Sequence, residues 1–184
     1  MSRLVLPDPS LVVLVGAAGS GKSTLAARLF EPEEILSSDA LRAAISGNEA
    51  DQSASRLAFQ MLHQTMRRRL AQRRMTVVDA TNTKAQDRRP LAAAALAAAI
   101  PTVAIVVDLP AAIVLTRNAG RIARVVDPAV VERHLAAMRA TLDGGRLVRE
   151  GFDHVVHLRS PADVAALEVE RHPDTRQAPA ADTI

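Results

Sequence analysis

The sequence predicts an α/β fold, a parallel sheet of about five strands with helices on both faces, and three observations lead there. Short β-branched apolar runs recur along the chain, and a segment with helical spacing follows nearly every one. Glycine and polar residues gather where the runs end, as expected of a sheet buried on both faces whose ligands lie beyond its strand ends. The 184 residues suit one such domain and are too few for two ordinary ones.

Ser10-Leu-Val-Val-Leu-Val15 is a continuous apolar run, the pattern of a central strand, and it enters the glycine loop Gly16-Ala17-Ala18-Gly19-Ser20-Gly21-Lys22-Ser23. A helix from Ser23 to Phe30 carries Leu25, Ala26 and Leu29 on one face, and Pro32 closes it. Ile35 to Ser38 reads as a short second strand. It ends at Asp39, a suitable N-cap for a helix through Leu41 and Ile45 that Gly47-Asn48 breaks. A long helix follows from about Gln52 to Arg74, with Leu57, Met61, Leu62, Met66 and Leu70 as its apolar stripe.

Thr76-Val-Val-Asp79 is the next strand, Ala80-Thr81-Asn82 a loop, and Lys84 to Ala99 an alanine-rich helix. Thr102 to Asp108 is another buried strand, stopped by Pro110. Helices are expected from Ala111 to about Arg121 and from Pro128 to Leu142, separated by Ile122 to Asp127. His154 to Leu158 is a last strand, and Ser160-Pro161-Ala162-Asp163 opens a last helix with proline in its first turn. The domain is taken as residues 1–170, and the polar, proline-spotted residues 171–184 as a disordered tail.

Composition removes several classes of function. There is no cysteine, which excludes disulfides, thiolate metal sites and cysteine nucleophiles. No apolar run approaches a membrane span, so a soluble, cytoplasmic protein without a membrane partner is expected. The five histidines show no metal-ligand spacing and are read as structural. The net charge of +3 is unevenly placed. From Gln64 to Pro90, Arg67, Arg68, Arg69, Arg73, Arg74, Lys84, Arg88 and Arg89 face only Asp79 and Asp87. Such a stretch suits a polyanionic ligand, or else serves a helix dipole and solubility.

The glycine loop fits G-x-x-x-x-G-K-[ST], with a buried strand before it and an amphipathic helix after it. In that setting successive backbone N–H groups and the helix dipole face phosphate oxygens. Gly16, Gly19, Ser20, Gly21 and Thr24 belong to the nucleotide cradle, Lys22 reaches the β- and γ-phosphates of ATP, and Ser23 ligates Mg²⁺. Lys22 is one of only two lysines among 23 basic residues, which marks its position as one that needs a compact ammonium.

A GTPase would carry a late Asn-Lys-x-Asp, and a motor ATPase a second carboxylate beside Asp79; neither is present. A small P-loop kinase with a helical lid remains. Asp39 is then the residue to take up the acceptor hydroxyl, with Arg42 one turn on to hold a phosphate. Arg117, Arg121 and Arg124, after the fourth strand, form a lid group for the β- and γ-oxygens.

Taken together, the glycine loop, Ser38-Asp39-x-x-Arg42, Asp51-Gln52, Thr76-Val-Val-Asp79-Ala-Thr-Asn82, Arg117-Asn118-x-x-Arg121 and Arg149-Glu-Gly-Phe152 resemble the kinase domain of bacterial polynucleotide kinase-phosphatases of end-healing and RNA repair. The resemblance covers about residues 5–170. It implies transfer of the ATP γ-phosphate to a 5′-hydroxyl of RNA or DNA. Asp39 would be the general base, Arg42 would position the acceptor phosphate and Arg117 would stabilise the transition state. Thr81 and Asn82 would contact the acceptor. Members of that family usually continue into further domains, and this sequence does not, so it reads as a stand-alone kinase or one module of a larger enzyme.

With no Trp or Tyr and only Phe30, Phe59 and Phe152, the chain lacks the aromatics for a platform that stacks several bases. Recognition through backbone phosphates and the terminal nucleotide is expected instead. Two alternatives stay open at this point: a small-molecule kinase acting on a sugar, nucleoside or antibiotic hydroxyl, and an ATP-dependent binding or regulatory module without phosphotransfer. RNA-versus-DNA preference, donor selectivity, oligomeric state and the role of Asp79 are not legible.

Overall fold

The structure, a computed structural model, describes residues 2–48, 52–121, 124–142 and 145–174. Its elements in chain order are β1 (Ser2–Asp8), β2 (Leu11–Val15), α1 (Lys22–Leu29), β3 (Ile35–Ser37), α2 (Ser38–Ser46), α3 (Ser55–Ala71), β4 (Thr76–Asp79) and α4 (Ala85–Ala97), then β5 (Thr102–Val107), α5 (Ala111–Ala119), α6 (Pro128–Leu142), α7 (Arg146–Arg149), β6 (His154–Leu158), α8 (Pro161–Ala166) and β7 (Leu167–Pro173). Asp51, Ile122 and Ala123, which carry part of the expected motifs, lie outside the described residues, as do residues 175–184 of the expected tail.

Five strands form one parallel sheet in the order β3-β4-β2-β5-β6, flanked by helices, as the sequence predicts. Every residue of β2, β4 and β5 is buried, because helices cover both faces at the middle of the sheet. The edge strand β6 is only partly covered: His154 and His157 are exposed, Val155 and Val156 half-buried, and Leu158 buried. From β2 the chain passes to β3 at one edge, returns to β4, and crosses to β5 on the other side of β2. That reversal opens a crevice beyond the C-terminal ends of β2, β4 and β5, where an open α/β sheet binds its ligands.

Two details depart from the sequence reading. The buried stripe of α3 is Ala58, Leu62, Met66 and Leu70, one residue every turn, whereas Leu57 and Met61 are exposed. Leu57 and Met61 have the larger side chains, but the face that packs on the sheet is the one carrying the alanine.

The second departure is the small parallel sheet of β1 and β7, which pairs Ser2 with Leu167 and Asp8 with Pro173. Leu167 and Val169 alternate with Glu168 and Glu170, a half-buried strand pattern. Arg171, expected in a loose tail, is anchored: its guanidinium meets the Glu34 carboxylate through two contacts of 2.7 Å and lies 5.9 Å from the centre of the Phe30 ring. Arg73 likewise reaches Asp174 at 3.6 Å. Among the described residues, no helix is long and apolar enough to cross a membrane.

Candidate active site

The glycine loop closes the end of β2. The Gly16 N–H donates to the Thr81 carbonyl at 2.9 Å, tying the loop to the segment after β4. At Gly19 two constraints coincide. Its φ is +85°, and a Cβ there would lie 2.7 Å from the Val114 carbonyl of α5, so only glycine fits. Gly21 caps α1 without a side-chain acceptor, which leaves the N–H groups of the first turn directed at a ligand.

These elements frame a cavity of about 1000 Å³. Gly19, Gly21, Lys22, Ser23, Thr24, Asp39, Arg42, Thr81, Arg117 and Arg121 all border it, so most of the residues expected at the site are brought together. Gly16 and Ser20 do not line it; Ser20 is fully buried and shapes the loop from behind. Six cationic side chains, Lys22, Arg28, Arg42, Arg117, Arg121 and Arg124, face three carboxylates, Asp39, Asp79 and Asp127. The surplus suits a polyphosphate.

Lys22 is buried, and its ammonium donates to the Ala17 carbonyl at 2.8 Å and to Ser20 Oγ at 3.4 Å. Desolvation pulls its pKa down to about 8; the Asp79 carboxylate opposes the shift and Arg121 adds to it. Asp79 sits at the end of β4, paired in register with Ser37 of β3. The Arg117 guanidinium reaches across from α5 to the Ser20 carbonyl at 3.5 Å, over the mouth of the loop.

Asp39 does not cap its helix. The cap is Ser37, whose Oγ accepts from the Ala40 N–H at 3.3 Å. Asp39 lies in the first turn of α2, one-third exposed to the cavity. Its Oδ1 is paired with buried Arg42 and with Arg124, whose Nη1 is 3.2 Å away. A carboxylate set between two guanidiniums at the edge of a phosphate site can orient a hydroxyl and accept its proton.

Asn82, expected to contact the acceptor, is turned inward instead. It is buried at φ +48°, and its Nδ2 donates to the Leu14 carbonyl at 2.8 Å. Arg88 corrects a second expectation, because it is not part of a surface patch. It is completely buried, with Nε and Nη2 each 2.8 Å from the Glu150 carboxylate and Nη1 donating to the Asn82 carbonyl at 2.8 Å.

Thr141 Oγ1 donates to the Thr83 carbonyl at 3.0 Å, so this cluster fixes the loop that presents Thr81. Replacing Glu150 by alanine strands a buried guanidinium, and we expect it to destabilise the fold by about 3–5 kcal/mol. Urea denaturation of Glu150→Ala measures this; an unchanged midpoint would refute the role assigned to the pair.

The basic stretch also divides. Arg68, Arg69, Arg73 and Arg74 lie around the C-terminal end of α3, which feeds the N-terminal edge of β4, opposite the cavity. The positive charge at the site comes from arginines scattered along the chain, which a local count does not reveal.

His134 of α6, read as structural, borders the cavity. Burial first, then Lys22, Lys84, Arg133 and Arg124, hold its pKa below the ordinary histidine value. Its Nδ1 has no hydrogen-bond partner among the described residues. No spacing rule marks it in the sequence.

A family model described as an AAA domain matches residues 11–144. No curated protein matches the chain. Among solved structures, a chain of the Pnkp1/Rnl/Hen1 RNA repair complex is similar at 22% identity and a TM-score of 0.63, over 73% of this chain and 45% of that one. The chain therefore spans less than half the length of that protein. A candidate kinase from Chloroflexus aurantiacus is similar at 20% identity and a TM-score of 0.58, over 83% of this chain and 86% of that one. A sugar kinase from Janibacter matches at 19% identity and a TM-score of 0.56, over 82% and 85% of the two chains. These similarities establish a shared P-loop kinase fold.

Proposed function

The chain belongs to the AAA-domain family, and on that premise we propose that it is a kinase that transfers the γ-phosphate of ATP to the 5′-hydroxyl end of RNA or DNA. The observation that carries this reading is the Asp39 carboxylate, held by Arg42 and Arg124 in the same cavity as the phosphate-binding lysine. A protein that only binds or senses ATP has no use for that arrangement.

Asp39 accepts the hydroxyl proton as the acceptor oxygen bonds to the γ-phosphorus and the bond to the ADP oxygen breaks. Arg42 holds a phosphate of the acceptor. Lys22 and Arg117 neutralise the charge that spreads over the moving phosphoryl group, where most of the catalytic gain in such transfers arises.

The residues present fit Mg²⁺. Ser23 offers a hydroxyl in the first turn of α1, Asp79 borders the same cavity, and magnesium prefers few protein ligands plus waters and substrate phosphates. When bound, the ion neutralises negative charge on the β- and γ-phosphates.

The cavity volume stands at the upper end of the range for small-ligand sites, and its cationic lining suits an acceptor that brings phosphates of its own. Incubation of γ-labelled ATP with 5′-hydroxyl RNA, 5′-hydroxyl DNA and a panel of sugars, nucleosides and other small alcohols tests the reading. We expect label in the oligonucleotides, with acceptor affinity falling steeply as salt rises. Label only in a small alcohol would make the protein a small-molecule kinase. ATP consumption indifferent to every acceptor would make it a nucleotide-dependent binding module.

A further inference from the structure

Beside the cavity runs a second depression of about 590 Å³, bordered by Arg56, Phe59, Gln60, His63 and Arg67 of α3, with Pro90 of α4 as part of its wall. We propose that this groove is the track of the acceptor strand, holding the phosphodiester backbone of the nucleotides that follow the reacting 5′ end. The inference rests on the polynucleotide acceptor proposed above and gives that substrate a path across the surface.

Continuity is the first argument. Phe59 borders both the cavity and the groove, so a chain leaving the reaction site passes directly from one to the other. Positions 56, 60, 63 and 67 recur at one-turn intervals, which places them on one face of α3. At 1.5 Å per residue they extend over about 16 Å, longer than a single nucleotide needs.

Charge is the second argument. Arg56 and Arg67 are exposed at the two ends of the row, and among the described residues no carboxylate borders the groove. Between them lie the Gln60 amide and the His63 imidazole. Burial and then Arg67 depress the His63 pKa, which favours the neutral ring. Its Nδ1 is shut off from solvent, so it is the rest of the half-buried imidazole that borders the groove. The groove thus offers cations for phosphates and neutral polar groups between them.

The aromatic side chains point the same way. Phe30 and Phe152 are buried, whereas Phe59 is 39% exposed at the junction of the two depressions. It is the one phenylalanine placed to stack a base, where the terminal nucleotide meets the next. A kinase for small alcohols has no need of a cationic groove leading away from its reaction site.

The test is a ladder of 5′-hydroxyl oligothymidylates and oligouridylates, from the nucleoside 3′-monophosphate to the hexamer, with wild type, Arg56→Ala/Arg67→Ala and Arg56→Lys/Arg67→Lys. For wild type, KM should fall by about tenfold or more along the ladder. In the double alanine variant that gain should disappear, while kcat and KM with the nucleoside 3′-monophosphate stay within about twofold. The slope of log affinity against log salt for the hexamer should flatten by about 1.4, the value for two lost phosphate contacts on a single strand. The lysine variant should keep the slope, because it keeps the charge.

Undiminished length dependence and salt slope in the alanine variant would overturn the proposal. So would a flat KM ladder in a wild type that labels every oligonucleotide. Failure of wild type to label any member of the ladder would instead overturn the proposed reaction itself.

Discussion

Asp39→Asn should lower kcat for phosphotransfer by about 10²–10⁴-fold while leaving the affinity for ATP unchanged. Asparagine has the same shape and keeps an oxygen to accept from Arg42 and Arg124, so the cavity is preserved. What it lacks is the ability to take the proton from the acceptor hydroxyl. The substitution also removes the negative charge beside buried Arg42, so the thermal midpoint should be recorded with the kinetics. A large loss of kcat in a folded, ATP-binding variant supports the assignment. Retained kcat would remove Asp39 as the base.

Lys22→Met should cost about 10²–10³-fold in kcat/KM, as expected when one pre-positioned charge is withdrawn from a moving phosphoryl group. Its effect on stability should have the opposite sign. The ammonium is desolvated in the folded chain, with its pKa near 8 rather than at the 10.5 of a solvated lysine. Below about pH 8 the folded chain carries a buried charge that the unfolded chain solvates freely. Between about pH 8 and pH 10.5 the unfolded chain binds more protons, so the contribution of Lys22 to stability rises with pH over that interval.

Methionine removes the buried charge, so at pH 7 the variant should melt higher than wild type and lack that rise. ATP binding runs the other way, because the triphosphate needs the protonated lysine. Wild-type affinity should weaken as pH rises through about 8, with protons taken up on binding above it. Calorimetry in buffers of different ionisation enthalpy reads the uptake directly. A variant that melts lower than wild type, or binding without proton uptake at pH 8.5, would contradict the desolvated lysine.

What could be read in the sequence follows the range of the interactions. The glycine loop depends on residues adjacent in sequence, and Asp39 with Arg42 on one helical turn, so spacing alone locates both. The Arg124–Asp39 and Arg88–Glu150 pairs join residues 85 and 62 positions apart, and no local pattern announces them. Asn82 shows how a motif position can mislead. A polar residue after a strand looks ligand-facing, but its left-handed backbone turns the amide back onto β2. The basic run after Gln64 divides for a related reason, since helix direction carries Arg68, Arg69, Arg73 and Arg74 to the far edge of the sheet. In β7 the alternation of Leu167 and Val169 with glutamates was present, but its partner β1 lies at the other end of the chain.

Where the γ-phosphate goes decides what the protein does. Wild-type protein should be given γ-labelled ATP and a single-stranded oligonucleotide with a free 5′-hydroxyl, alongside the same oligonucleotide already carrying a 5′-phosphate, and the product digested to mononucleotides. Label recovered solely in the 5′-terminal nucleotide of the free-ended strand, with none in the blocked strand, is the predicted result. Equal labelling of both strands, or none in either while a small alcohol is phosphorylated, would contradict it.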